Sequence, residues 1–413
     1  MTNSNEISVD VLKSLQNLQT IRQQAQRILA LARQNGLRHF ILDESKMAFT
    51  VDWVLEVIDD QYPSFTIPYH SRWRHFEVGG VDRIKKMNSQ LAELSAEEQG
   101  KILYELVILS VLLDAGAGKR WIYKEQPGDQ RYSRSEGLAL ASLALYLQGA
   151  FSADVNQPLR VDAERLIQFS RTDFKTGFQV SDNNPLDGIK GRIALLNQLG
   201  KSIQTNEACF GREGRLGNFY SCISSLQVNQ AISVPHIFQA VLTAFGEIWP
   251  ERIRYHGISL GDVWPYSALK TEAPASELIP FHKLSQWLTY SLIEPLEKFG
   301  IQVTDLDELT GLPEYRNGGL LIDTGLLQVK NETVLQQLQA PDSEVIVEWR
   351  ALTVALLDEL AVAIRQRLQK SAAELPLAKI LQGGTWEAGR RLARQKRADG
   401  IPPIQIISDG TIF

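Results

Sequence analysis

Between Phe281 and Leu360 stand a lysine, a carboxylate and an arginine whose types and spacing could do chemistry at a sugar. Lys283 follows Phe281-His282 at the start of a helical pattern, and Glu314 occupies the turn Leu309-Thr310-Gly311-Leu312-Pro313-Glu314-Tyr315-Arg316. A lysine and an arginine can hold an anionic ribose. A carboxylate fixed beside the anomeric carbon can offset the positive charge that builds there when an N-ribosidic bond breaks. Lys283 falls next to an apolar stripe of Leu284, Trp287, Leu288, Leu292 and Leu296, which turns it toward a cleft instead of bulk water. A glutamate in a turn is also an ordinary surface feature, so both readings stand on local grounds.

Other clusters compete for attention. Pro68-Tyr69-His70-Ser71-Arg72-Trp73-Arg74-His75-Phe76-Glu77 packs cations and aromatics into one short stretch. Arginine forks suit phosphate or carboxylate, and aromatic faces suit a flat heterocycle, whereas the structural alternative is an ion-pair-rich loop. Leu113 to Trp121 contains Gly116, Gly118 and Lys119, but Arg120 stands where a phosphate loop needs Ser or Thr, so the glycines read as helix-end caps. Asp114 at that helix end is a candidate cavity carboxylate. Gly211 to Asn218, with Arg212 and Arg215, reads as a basic loop over an anion or as a plain connection; no clear strand precedes it, as a dinucleotide fingerprint would require. Gly383-Gly384-Thr385 reads as a helix start with Thr385 near the N-cap. No GxSxG nucleophile pattern occurs.

Composition narrows the classes. The 413 residues are 44% hydrophobic and 22% charged, as in a folded globular chain. A net charge of −5 excludes a general nucleic-acid surface, which needs an excess of Lys and Arg. Cys209 and Cys222, 13 positions apart, read as two reduced thiols of a cytoplasmic protein. The apolar run Ile102 to Leu113 contains Glu105 and is too short to span a bilayer, so no membrane role is expected. With Glu6 and Asp10 and no apolar core, the N-terminus does not read as a secretory signal. Leu15, Leu18, Ile21, Ala25, Ile28, Leu29 and Ala32 form one stripe with Arg22, Arg27 and Arg33 opposite. That is a docked amphipathic helix, although it mimics a mitochondrial presequence.

To position these groups the chain must be mainly α. Periodicity predicts helices over 11–34, 45–58, 90–113, 135–149, 160–169, 188–199, 234–246, 282–299, 331–339, 345–371 and 385–397, with short strands at 38–42, 320–323, 326–329 and 404–407. No internal repeat or low-complexity linker interrupts it, so one integrated unit is expected over 1–413, divisible into an N-terminal helical lobe, 1–230, and a C-terminal lobe, 231–413.

Two resemblances bear on function. Over essentially the whole chain the sequence resembles the uracil-catabolism protein family of fungi and bacteria. The resemblance is carried by Tyr69 to Phe76, Gly79-Gly80-Val81-Asp82-Arg83, Asp114 to Trp121, Gly211 to Asn218, Gly383 to Arg390 and Ser408-Asp409-Gly410-Thr411. It implies a role in a route that opens the uracil ring at the nucleotide level through ribosylurea-type intermediates. Residues 281–360 also resemble the queuosine-salvage nucleotide N-glycosylases, in Lys283, Leu309-Thr310, Glu314-Tyr315-Arg316, Gly325-Leu326-Leu327 and Glu344 to Arg350, in the same order. This second resemblance implies a multi-helical, DNA-glycosylase-like architecture with a few short strands, and an N-glycosidase acting on a ribonucleoside 5′-phosphate.

One departure matters: the salvage family's aspartate is Glu314 here, one methylene longer, an added reach of about 1.5 Å. It accommodates a smaller base, or else the catalytic role moves, with Asp323 the nearest substitute.

The expectation is therefore a hydrolase of a ribosylurea or a pyrimidine-derived ribonucleotide that uses no metal and no redox cofactor. Glu314 is its carboxylate, and His282 or His70 its proton donor. Lys283 and Arg316, with one or more of Arg72, Arg74, Arg212 and Arg215, hold phosphate or ribose, and Trp73, Trp287 or Tyr315 walls the leaving group. Two rivals stand beside it: a pathway protein that binds without turnover, and a metal-dependent amidohydrolase using His70 and His75.

Overall fold

Helical periodicity carries into the computed structural model, which describes residues 8–249, 252–255 and 257–407. Glu6 and the Ser408–Thr411 ending lie outside the described residues. The chain is mainly α, with short strands paired two by two. It divides into two units, each assembled from separate stretches of sequence. Among the described residues, one comprises 8–70, 253–286 and 305–407, and the other 71–252 and 287–304.

In the first unit the helix Glu344–Leu368 is buried along most of its length, as its run of Val, Ile, Leu and Ala requires. The amphipathic helix Leu18–Arg33 packs on it with Leu18, Ile21, Ala25, Ile28, Leu29 and Ala32 inward. The expected 11–34 helix is two helices. Asn17 interrupts it, its side chain accepting from Gln19 N and so capping the second. The outward arginines are structural: Arg22 pairs with Asp358 at 2.9 Å, and Arg33 with Glu359 at 2.8 Å.

The segment expected as a strand over 320–323 is instead the last part of the helix Tyr315–Asp323. Glu314 caps that helix and overrides the β preference of a short apolar run. The strands expected at 38–42 and 326–329 do form, pairing antiparallel as Phe40–Leu42 with Leu327–Val329. The 331–339 helix is only a turn at Thr333–Gln336, and Leu338–Gln339 pairs in parallel with Gln405–Ile406. Thr385 stands at the N-cap place of the helix Trp386–Lys396, as expected, but its side chain makes no capping bond there. It ends a π-helical turn, Leu381–Thr385, that runs into the helix Trp386–Lys396, and its hydroxyl donates to Asn317 Oδ1 at 2.9 Å.

Helices Tyr315–Asp323 and Trp386–Lys396 approach so closely that a Cβ on Gly389 would lie 2.1 Å from the Arg316 carbonyl oxygen. Backbone cannot yield as a flexible side chain can. Gly389→Ala is therefore expected to destabilise the protein by about 1–3 kcal/mol in chemical denaturation. Gln395→Ala on the exposed face of the same helix should stay within about 0.5 kcal/mol; equal effects would contradict this packing.

The second unit is built on Ala96–Leu112, buried on every side from Ile102 to Leu112. Arg134–Leu147 and Asn218–Ser224 pack on it. Ala231–Ser233 pairs in parallel with Gln302–Thr304. Glu105, the one charge in that run, is fully buried and accepts from Arg215 Nε at 2.9 Å, Gly217 N at 3.0 Å and Val161 N at 3.1 Å. Cys209 and Cys222, expected to be free thiols, form a disulfide across the loop that carries Arg215, with Cα atoms 5.4 Å apart. A separation in sequence gave no sign that the loop folds back on itself. Among the described residues no helix is long and apolar enough to cross a membrane.

Candidate functional site

Glu314 takes an extended conformation just before the helix begins, its N–H donating to Leu312 O at 2.9 Å across Pro313. Its side chain folds back over the first turn: Oε2 accepts from Arg316 N at 2.7 Å and Oε1 from Asn317 N at 2.6 Å. Glutamate thus fills the capping place that shorter polar residues usually take. Each carboxylate oxygen keeps a second lone pair, so capping does not exhaust the group. Glu314 is 8% exposed. Burial pushes its carboxyl above the ordinary value, opposed by the two amides and by the charges of Lys283 and Arg316.

The lysine is placed by a residue that no periodicity marks. Asp262 accepts from Phe281 N at 2.9 Å and His282 N at 3.3 Å through its carbonyl, and from Lys283 N at 2.9 Å through Oδ2. Between these contacts His282 adopts a left-handed conformation, φ 45°, which reverses the chain just before the helix Lys283–Lys298 starts. Arg350 grips the Asp262 carboxylate with both terminal nitrogens, at 2.8 and 2.7 Å, and stacks 4.1 Å from the centre of the Phe281 ring. Trp264 Nε1 donates a further bond at 2.7 Å. Burial alone would raise the Asp262 carboxyl; Arg350 and these donors hold it well below the usual carboxylate range.

The turn that leads to Glu314 is fastened from two sides. Gln286, fully buried, donates through Nε2 to Phe281 O at 3.0 Å and Thr310 Oγ1 at 2.8 Å, and its Oε1 accepts from Thr310 N at 2.8 Å. The amide thus ties the start of the lysine helix to the Leu309-Thr310-Gly311 turn. Arg22 donates to the carbonyls of Asp307, Glu308 and Leu309 at 2.6–2.7 Å. Asp262 and Gln286 were not singled out from the sequence, and Arg22 was read only as the polar face of an amphipathic helix, because each reaches partners supplied by another segment of the chain.

Of the other predicted residues in this unit, Arg316 is buried, donates to Gly400 O at 3.0 Å and lies 5.1 Å from the centre of the half-buried Tyr315 ring. His282 Nε2 donates to Leu15 O at 2.9 Å, and burial lowers its pKa, favouring the neutral imidazole. Asp323 ends the helix that Glu314 begins, about 13 Å farther along the axis. There it makes a two-point ion pair with Arg397, at 2.9 and 2.5 Å. His70 Nδ1 lies 3.1 Å from Gln382 Oε1.

The second unit holds the remaining candidates. Arg72 is fully buried, pairs with Asp114 at 3.0 Å and donates to Ser110 Oγ at 2.7 Å. Trp73 Nε1 donates to Ser291 O at 2.8 Å, and Arg74 pairs with Glu294 at 2.6 Å. The Trp287 ring meets His75 edge-on, 5.9 Å between centres. Arg212 projects outward, its side chain 90% exposed and paired with Glu207, whereas Arg215 is drawn inward to Glu105 and Glu98. The Leu113–Gly116 stretch turns its carbonyls onto Arg192, a geometry opposite to the amide cradle of a phosphate loop. Among the described residues no group of three or more His, Cys, Asp or Glu gathers in a way that could hold a metal ion.

These features define a mainly α protein with a buried carboxylate fixed at a helix start and a cationic lysine in electrostatic reach. Its residues 14–413 match the family described as "Protein of unknown function (DUF1688)", and the chain belongs to that family. It is 38% identical over 416 residues to "Protein urg3" of Schizosaccharomyces pombe, covering 98% of this chain and all of that relative. It is 37% identical over 434 residues to "Uracil catabolism protein 4" of Lachancea kluyveri, covering 96% and 98%.

Proposed function

We propose that this protein acts in uracil catabolism as a hydrolase of an N-ribosidic bond, on a ribosylurea or a pyrimidine-derived ribonucleotide. The pathway reading draws on the relative named for uracil catabolism. The chemical reading rests on one observation: a buried carboxylate, Glu314, held by two backbone amides with the charge of Lys283 bearing on it. In this reading Glu314 faces the anomeric carbon and offsets its developing charge. It accepts the proton of the attacking water, whose oxygen bonds to C1 as the C–N bond breaks. The departing nitrogen receives that proton, so ribosylurea 5′-phosphate and water give ribose 5-phosphate and urea. Lys283 and Arg316 hold the sugar or its phosphate, and Tyr315 walls the leaving group. His282, neutral and bonded to Leu15, shapes the chain reversal beside Lys283.

The rival, binding without turnover, draws support from the same Glu314 bonds, since a cap can be only a cap. The two separate by incubating the purified protein with ribosylurea, its 5′-phosphate and uridine 5′-monophosphate and following free reducing sugar. Release from at least one is expected; tight binding of all three with no sugar from any would select the rival.

The pH dependence follows from the site. Glu314 must be ionised, and burial raises its pKa, so the rate is lost as pH falls through a value above the ordinary carboxylate range, about 4.3. Lys283→Met removes a charge that opposes this rise, so the acid limb should move to higher pH. An acid limb at the same pH in both proteins would separate Lys283 from the carboxylate.

A further inference from the structure

We infer that Cys209 and Cys222 form a reversible redox modification site that clasps the Gly211–Gly217 loop and governs the seating of Arg215 on Glu105, with a dithiol as its exchange partner. The inference concerns the second unit and stands apart from the chemistry of Glu314. Cys209 lies in the short helix Glu207–Phe210 and Cys222 in the helix Asn218–Ser224, both half-buried and so within reach of a small thiol. Between them the chain reverses at Gly211, φ 71°, and again at Gly214, φ 61°. Gly214 O accepts from Ala163 N at 2.9 Å, and Leu216 N donates to Val161 O at 2.9 Å. The disulfide therefore closes a loop whose middle residue delivers a guanidinium into the core.

That delivery has consequences for Glu105. Its carboxylate is fully buried, and Arg215 supplies its neutralising charge through Nε at 2.9 Å and Nη2 at 3.2 Å. Arg215 also meets Glu98 at 2.7 Å nearer the surface. Loosening the loop withdraws this cation from a buried anion, an unfavourable state that exposes the amides of Val161 and Gly217 now bonded to Glu105. Cutting the clasp enlarges the set of open loop conformations, so it shifts this local equilibrium without unfolding the unit. The exchange balances as a two-electron transfer: the external dithiol becomes a disulfide, and Cys209 and Cys222 each gain a proton and an electron.

The first test uses the full-length protein with no substitution. After equilibration with an oxidised dithiol, intact mass following alkylation should show both cysteines blocked, and peptide mapping should show the Cys209–Cys222 link. After dithiothreitol both should alkylate. Amide hydrogen exchange should then quicken by about tenfold or more at Val161 and Gly217, while Tyr104 to Leu109 stays unchanged. Two free thiols after oxidation would overturn the site. Equal exchange at Val161 and Gly217 in the two redox forms would overturn the coupling to Arg215. The Cys209→Ser/Cys222→Ser variant should reproduce the reduced form's exchange in either redox condition; oxidised-like protection in that variant would also overturn it.

Discussion

In the proposed reaction, replacing Glu314 by glutamine should lower the rate of sugar release by about 10²–10³-fold, the loss expected when one preorganised group facing transition-state charge is removed. The substitution keeps the side chain's length and one acceptor oxygen, so a backbone N–H of Arg316 or Asn317 is still capped. Stability should consequently change by no more than about 1 kcal/mol, because loss of a favourable anion at a helix start is set against relief of a buried charge. Ribose 5-phosphate should bind the variant within about threefold of the parent, since the interaction removed acts chiefly in the transition state. Steady-state kinetics and product titration check both halves. Full activity in Glu314→Gln would remove the carboxylate from the mechanism and leave it a helix cap.

Asp262→Ala produces the largest loss of stability expected at any residue around the site. The substitution leaves Arg350, 1% exposed, without its two-point partner. Removing one member of a buried ion pair costs about 3–5 kcal/mol, because the remaining charge stays desolvated. Adding Arg350→Met should recover a good part of that loss, a non-additivity that urea denaturation of both single variants and the double variant measures. A double variant no more stable than Asp262→Ala would show that the pair is not the source. The same pair sets an acid limit. The folded Asp262 carboxyl lies below its unfolded value of about 3.9, so its contribution is fully present above that pH and is lost as pH falls toward the folded value. The parent should therefore weaken below about pH 4 by more than Asp262→Ala does.

Much of this arrangement was legible in the amino-acid order. The long helices announced themselves by periodicity, and Glu344–Leu368 was placed within three residues of its observed ends. Lys283 and Glu314 stood out because a charged residue beside an apolar stripe and a carboxylate after proline are local signals. The strand expected over 320–323 failed for a physical reason: Glu314 caps a helix through its side chain, which periodicity does not register. Arg22 looked like the polar face of an amphipathic helix and instead holds three carbonyls some 285 positions away. Asp262 and Gln286 were silent for a related reason. Asp262 meets Arg350 and Gln286 meets Thr310, partners supplied by other segments, and no spacing encodes such closures. The cysteines illustrate the limit in another way, since their pairing depends on glycine reversals inside the intervening loop.

In the proposed reaction water attacks the anomeric carbon beside Glu314. A single turnover of ribosylurea 5′-phosphate in ¹⁸O-labelled water, trapped at once with borohydride so that the sugar oxygen cannot exchange, reads out that step. With Glu314 beside C1, ¹⁸O should appear on C1 of the recovered sugar and none in the urea. Label in the nitrogen-bearing fragment would show hydrolysis at the ureido carbonyl instead, and would contradict the assignment of Glu314 to an N-ribosidic bond.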